Sequence, residues 1–257
     1  MDIKVIYEDN DVLAVDKPAG VVVFEEIASS PEAPRNDEIK RETLIDALIE
    51  KFPNLTNTGC LPRYGVVHRL DKGTSGVLLV AKTSDSLIFL QKQFINREVQ
   101  KKYTCLVEGD VKEDKGEIKT LIGRSPMDMR KQKAYSLNEA GPGKREAITE
   151  YKVIGRYSES PTSPRLRGAT KVNSFTLVEV QIKTGRKHQI RCHLSYIHHP
   201  IAGDKMYGFK NSPVPGGLTR QFLHAGYLKI KLPNSKVREF KSKLPEDLQQ
   251  VLQNLKI

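Results

Sequence analysis

Tryptophan is absent from the 257 residues, and aromatic side chains make up only 7%. Cysteine occurs three times, as Cys60, Cys105 and Cys192, odd in number and widely spaced. That excludes a disulfide framework and reads as reduced, cytosolic thiols. Long apolar runs are also missing. The longest are Val12–Val15, Gly20–Phe24 and Gly76–Ala81. Each falls far short of the ~20 residues that a membrane-spanning helix needs. Met1–Asn10 carries acids and no long apolar stretch, so no signal peptide is expected. No C-x₂-C pair, no H-E-x-x-H and no internal repeat occurs.

What remains is ordinary globular composition, 38% apolar and 28% charged. Disorder, collagen and coiled coil are thereby excluded as overall classes. The length suits one large domain or two small ones, with a core of real size. Charge is the more telling feature. The chain carries a net +11, unevenly placed: residues 1–62 hold −7 and residues 63–257 hold +18. Between Arg165 and Arg191 stand seven Lys or Arg against one acid, Glu179. Such a field suits a polyanion, nucleic acid above all, while a merely solvated basic surface is the bland alternative.

Local patterns outline the elements. Val5–Tyr7 and Val12–Val15 flank a turn-rich Glu8–Asp11 and predict a hairpin. Lys17–Gly20 predicts a turn. Thr43–Asp46 has the form of a capping box opening a helix through Phe52. Gly76–Ala81 predicts a buried strand. The helix after it, capped by Thr83 or Ser84, should turn Leu87, Leu90, Phe94 and Ile95 inward. Lys102–Glu108, Ile148–Ile154, Ser174–Ile182 and Phe222–Ile230 read as strands, and Gly109–Gly116 as a charged turn. Gln189–Ile197 reads as a short helix, and a last helix starts at Pro245. The segments 25–42 and 158–173 read as loops. Strands outnumber helices and do not alternate with them regularly. The expected class is therefore α+β, with a mixed, largely antiparallel central sheet flanked by helices and loops. No linker is strong enough to cut the chain, so residues 1–257 are expected to form a single domain.

Four segments could carry chemistry. His68–Gly76, H-R-L-D-K-G-T-S-G, sets charged side chains between aliphatic runs, where a rigid sheet can hold them. Read blandly it is a turn. It lacks the spacing of a G-x-S-x-G elbow and of a kinase catalytic loop. Thr184–Ser195 gathers Arg186, Lys187, His188, Gln189 and Arg191 at a helix start. Cations there are unfavourable by dipole logic unless an anion or a carboxylate partner is near. His188 and His193 fall on different faces of a helix, which argues against a metal site. Lys101–Tyr103 enters a strand, and its tyrosine offers a stacking face and a hydroxyl. Ile122–Lys133 is a basic turn region with Arg130 and Lys131. Gly141–Lys144 has no Walker spacing.

Together these segments resemble the RluA family of pseudouridine synthases. The match runs through His68–Gly76, Lys101–Tyr103 with Leu106–Gly109, Thr184–Leu194, His199–Gly208, Tyr7–Gly20 and Phe222–Ala225. Ala134 departs from it, standing where relatives often have Met. The resemblance implies a pseudouridine synthase fold that starts directly with the catalytic domain, without an extra N-terminal RNA-binding domain. It implies cofactor-free isomerisation of uridine to pseudouridine in rRNA or tRNA. Asp71 would be the nucleophile, attacking either the ribose or the pyrimidine ring. Arg191 would pair with it, and Tyr103 would contact the base and serve proton removal at carbon 5. Arg69 would take the place of the flipped base. His68, Lys102, Arg130, Lys131, Arg186, Lys187, His188 and Gln189 would contact RNA. No metal is expected, and a cytoplasmic monomer with structured RNA as partner is. The competing reading is a non-catalytic RNA-binding or ribosome-assembly protein on the same fold.

Overall fold

The computed structural model describes residues 1–25, 42–159 and 173–257, so the expected loops 25–42 and 158–173 lie almost wholly outside the described residues. These residues divide into two compact units. One comprises Met1–Val99 and Tyr227–Ser242, the other Gln100–Gly226 and Lys243–Ile257.

In the first unit β1 (Lys4–Glu8) and β2 (Val12–Lys17) form the expected hairpin. Asp9 closes it, its Oδ1 accepting from the backbone N–H of Asp11 and Val12. β2 pairs antiparallel with β3 (Ser75–Ala81), which is buried at every position, as its unbroken aliphatic run predicts. Helix α1 (Leu44–Lys51) opens on the predicted box: Thr43 Oγ1 accepts from Asp46 N–H, and the Asp46 carboxylate accepts from Thr43 N–H. Helix α2 (Ser84–Ile95), capped by Thr83, packs on β3 through Leu87 and Leu90. Ile95, expected inward, is exposed: five positions from Leu90, it lies about 140° round the helix from that buried residue. Strand β10 (Val237–Lys241) pairs antiparallel with Tyr227–Lys231 of β9 (Leu223–Lys231). It escapes sequence reading because Phe240 is its only buried side chain.

In the second unit β4 (Gln100–Glu108), β5 (Lys115–Arg124), β6 (Gln132–Tyr135), β7 (Arg145–Glu159) and β8 (Asn173–Ile182) run antiparallel in the order β4-β8-β7-β5-β6. β5 and β6 begin or end in sequence read as charged turns, Gly109–Gly116 and Ile122–Lys133, and residues 117–121 between them carry no expected element. Lys115, Glu117 and Lys119 hide the alternation of Ile118, Thr120 and Ile122, which are buried. β7 is also longer at both ends than expected. Helix α3 (Gln189–Tyr196) lies on β5, β6 and β7. Ala134 is buried here with Ile122, Ala147, Cys192 and Tyr207, so the departure at this position is a core position. Helix α4 (Glu246–Asn254) starts after Pro245 and is tied by a bidentate Arg220–Asp247 pair. The architecture is α+β with a mixed, largely antiparallel sheet, as expected. Among the described residues no helix is long and apolar enough to cross a membrane. All three cysteines are free thiols.

Two buried polar groups hold these units. In the first, Lys17 has no exposed surface, and its Nζ donates to the carbonyls of Pro18 and Val21 at 2.8 Å and of Lys72 at 3.3 Å. Gly20, at φ 86°, turns the loop so that its own N–H also reaches the Lys72 carbonyl at 2.8 Å. In the second, His193 is fully buried between two threonines, Nε2 on Thr120 Oγ1 at 2.9 Å and Nδ1 on Thr149 Oγ1 at 2.8 Å. Burial pushes its pKa down to about 4.

Each group yields an expected outcome. Lys17→Met strands the Pro18 and Val21 carbonyls without their donor, at about 1–3 kcal/mol each. Urea unfolding should therefore show a loss of roughly 2–6 kcal/mol; an unchanged midpoint would mean that other donors reach those carbonyls. His193 binds its proton far more weakly folded than unfolded. Its neutral form therefore stabilises the fold above the unfolded pKa, and that stability is lost as pH falls from ~6.5 toward 4. Unfolding free energies of wild type and His193→Gln, compared at pH 6.5 and 5, should show an extra loss of about 1.5 kcal/mol in the wild type. Parallel profiles would exclude His193 as the titrating group.

Candidate active-site residues

In the first unit the chain from Gly65 to Val67 runs beside β3. Ala81 N–H donates to Gly65 O, and Val66 bridges to Val80. A Cβ on Gly65 would stand 2.0 Å from the Ala81 carbonyl oxygen, so only glycine fits this approach. His68 then folds inward: Nε2 accepts Leu79 N–H at 3.1 Å and the ring stacks on Phe94 with centroids 4.9 Å apart. An Nε2 that accepts carries no proton, so this is the neutral tautomer with hydrogen on Nδ1. Arg69 points the other way. It is exposed and sets its guanidinium over the Phe24 ring at 5.1 Å, as Arg63 also does. Leu70 is buried and anchors the segment. Asp71 follows, half-buried, its carbonyl accepting Thr74 N–H at 3.0 Å to close a tight turn. Lys17 and Gly20 grip that turn at Lys72 O, one residue past Asp71. The carboxylate thus stands on backbone fixed from two sides.

In the second unit Tyr103 is buried on β4, opposite Val180 of β8. Lys102 points to the other face and pairs with Glu179 at 2.9 Å. Lys101 is half-buried, and its desolvation lowers the ammonium pKa to about 8. Its Nζ lies 3.9 Å from where a Cβ on Gly185 would stand, beside the Thr184–His188 loop.

That loop is braced by Gln189. Its Oε1 accepts from Thr184 Oγ1 and Arg186 N–H, and its Nε2 donates to Ile148 O and Thr149 Oγ1. All four bonds of this expected RNA contact are thus made inside the unit. Arg186 Nε donates to Glu146 O, while Lys187 is exposed. His188 caps α3 in the left-handed conformation, φ 55°, with Nδ1 3.0 Å from the Tyr207 hydroxyl.

Arg191 is 7% exposed and meets a carboxylate in its own unit, Asp204. Nε donates to Oδ2 at 2.7 Å and Nη2 to Oδ1 at 2.9 Å, a fork-to-fork pair. The Tyr207 ring lies 4.9 Å from the guanidinium carbon. Burial alone would raise the Asp204 pKa. The hydrogen bonds and charge of Arg191, with the N–H groups of Met206 and Tyr207, outweigh it and hold the carboxyl below the usual range.

The β5–β6 hairpin carries the remaining expected contacts. Arg130 is largely exposed and forked onto Asp128, holding that carboxyl at about 2. Lys131 closes the loop through backbone bonds to Asp128 and Ser125. Among the described residues no group of three His, Cys, Asp or Glu could hold a metal ion. Lys17, Asp204 and Tyr207 carry no role expected from the sequence, although each stands in a segment of the resemblance, Tyr7–Gly20 or His199–Gly208.

The family described as RNA pseudouridylate synthase matches residues 11–196. Over 257 residues, 100% of this chain and 74% of the relative, identity is 37% to the uncharacterized RNA pseudouridine synthase YlyB of Bacillus subtilis. It is 40% over 213 residues, 83% of this chain and 58% of the relative, to an uncharacterized RNA pseudouridine synthase of Aquifex aeolicus. It is 36% over 261 residues, 99% of this chain and 65% of the relative, to the ribosomal large subunit pseudouridine synthase D of Nitrosomonas europaea. The chain thus spans between 58% and 74% of the length of these relatives. Among solved structures, human RNA pseudouridylate synthase domain containing 4 superposes with a TM-score of 0.69 at 25% identity, covering 99% of this chain and 94% of that one. With its motifs, its fold and these relatives in agreement, the chain belongs to the RNA pseudouridylate synthase family of the RluA kind, the isomerases that convert uridine to pseudouridine in RNA.

Proposed function

We propose that this protein converts specific uridines of structured RNA to pseudouridine with Asp71 as nucleophile. The observation that carries the reading is the seating of Asp71: it stands on a turn gripped by the buried Lys17, within the span matched by the family. The chemistry balances without an oxidant. The bond from ribose C1′ to N1 breaks and a bond from C1′ to C5 forms. C5 loses a proton, and N1 gains one. An attacking carboxylate divides the exchange into two easier steps. Tyr103 contacts the base, and the resemblance gives Arg191 the task of pairing with the nucleophile. Arg69, exposed and already stacked on a ring, fills the gap left by the flipped base.

Ribosomal RNA of the large subunit or tRNA is the substrate class, the former being what the Nitrosomonas europaea relative is named for. Pseudouridine mapping of total RNA with and without the gene identifies the site. Loss of no pseudouridine would overturn the reading and favour a binding-only protein.

Asp71→Asn should abolish turnover on an unmodified transcript while leaving RNA affinity within a few-fold, measured side by side by tritium release and filter binding. Appreciable turnover by Asp71→Ala would remove Asp71 from the chemistry.

RNA contact by Arg130, Lys131, Lys102, Arg186 and Lys187 displaces counterions, so the logarithm of affinity should fall linearly with the logarithm of salt concentration. The slope should be about −0.7 to −0.9 per phosphate neutralised. Lys131→Ala and Lys187→Ala should each reduce that slope by about one and weaken all RNAs alike. An unchanged slope would take the substituted side chain off the phosphate path.

A further inference from the structure

A buried ion pair is a poor device for stability, because removing two charges from water offsets most of their attraction. It is a good device for fixing a guanidinium, since a bidentate carboxylate sets both its plane and its position. The Arg191–Asp204 pair is of this kind. Asp204 has no exposed side-chain surface, and its Oδ1 also accepts the N–H groups of Met206 and Tyr207. The carboxylate is thus locked by the turn that carries Tyr207, whose ring covers the Arg191 guanidinium.

Tyr207 reaches in a second direction. Its hydroxyl accepts Gln132 N–H at 2.7 Å, at the start of β6, one residue past Lys131. Having accepted there, it is placed to donate to His188 Nδ1 at 3.0 Å. Ser195 Oγ donates to the Tyr207 carbonyl from α3, the helix that bears Arg191. One phenol therefore touches the foot of the basic hairpin, the cap of α3 and the face of the guanidinium. Burial pushes its pKa up, so it stays protonated and keeps this arrangement.

We propose that Asp204 and Tyr207 are positioning residues for Arg191, and that the Tyr207 hydroxyl couples RNA engagement of the β5–β6 hairpin to the placement of that guanidinium. The proposal rests on the reading of Arg191 as part of the chemistry. RNA phosphate on Lys131 then bears on turnover as well as on affinity.

The test measures kcat and KM on an unmodified transcript of the mapped site, with melting temperatures, for Asp204→Asn, Tyr207→Phe, Lys131→Ala, the Tyr207→Phe/Lys131→Ala double variant and Arg191→Met. Asp204→Asn should lower kcat by roughly 100-fold with KM little changed. Tyr207→Phe keeps the ring and loses the hydroxyl, and should lower kcat about three- to tenfold at unchanged KM. Lys131→Ala should raise KM in both backgrounds but lower kcat only where Tyr207 is intact, a non-additivity that a merely structural tyrosine would not produce. Additive effects on kcat, or wild-type kcat in Tyr207→Phe, would overturn the coupling. Should Asp204→Asn fail to fold, the Tyr207→Phe cycle decides alone. Full activity in Arg191→Met would overturn the reading of Arg191 itself. An inactive Arg191→Met beside a fully active Tyr207→Phe would overturn the positioning role and the coupling of Tyr207 while the reading of Arg191 stands.

Discussion

Charge taken out of water must be met by fixed partners, and that constraint sets both halves of this protein. Lys17 is the clearest case. An ammonium with no exposed surface survives only if its three protons find acceptors, and the acceptors here are backbone carbonyls on two loops distant in sequence. The lysine thus fixes where the Asp71 turn can lie relative to the Lys17–Gly20 turn. A hydrophobic contact at the same place would hold the loops together but would not set their register, because it lacks direction.

The second unit applies the same rule with the opposite sign. Asp204 is a buried anion whose oxygens are met by two backbone N–H groups and one guanidinium. Gln189 is the neutral counterpart, with both its amide atoms doubly bonded. In each case the buried polar group anchors a residue that the resemblance assigns to the reaction or to RNA. Removing such a group alone would leave its partners buried and unpaired, at a cost to the fold as well as to the geometry of the site.

Legibility in the sequence follows the same line. The aliphatic β3, the capping box of α1 and the helical stripe of α2 were readable because their signals are local. β5, β6 and β10 were not, because charged residues on their exposed faces masked a short alternation. The motif segments around Asp71 and Arg191 stood out as unusual combinations, and the resemblance gave them roles. What they lean on did not stand out. A lysine before a proline or an aspartate after a glycine is ordinary turn chemistry until the fold brings its partners to it. The carboxylate that the basic start of α3 called for was legible as a need, but not as Asp204, thirteen residues from Arg191.

The surface obeys a looser version of the constraint. Lys102 with Glu179, Arg130 with Asp128, Lys119 with Glu146 and Lys183 with Glu150 are all ion pairs open to water. Such pairs contribute little to stability, so exchanging a carboxylate for a phosphate oxygen is nearly neutral for the fold. The net +18 beyond residue 62 is therefore not a field of bare cations. Part of it is paired with local acids at the surface. Arg130 shows this most directly, since its fork onto Asp128 has the geometry it would offer a phosphate. Exposed pairs can exchange a carboxylate for another anion at little cost to the fold, and buried ones cannot. Burial therefore divides the charged groups into those free to change partner and those fixed by the fold.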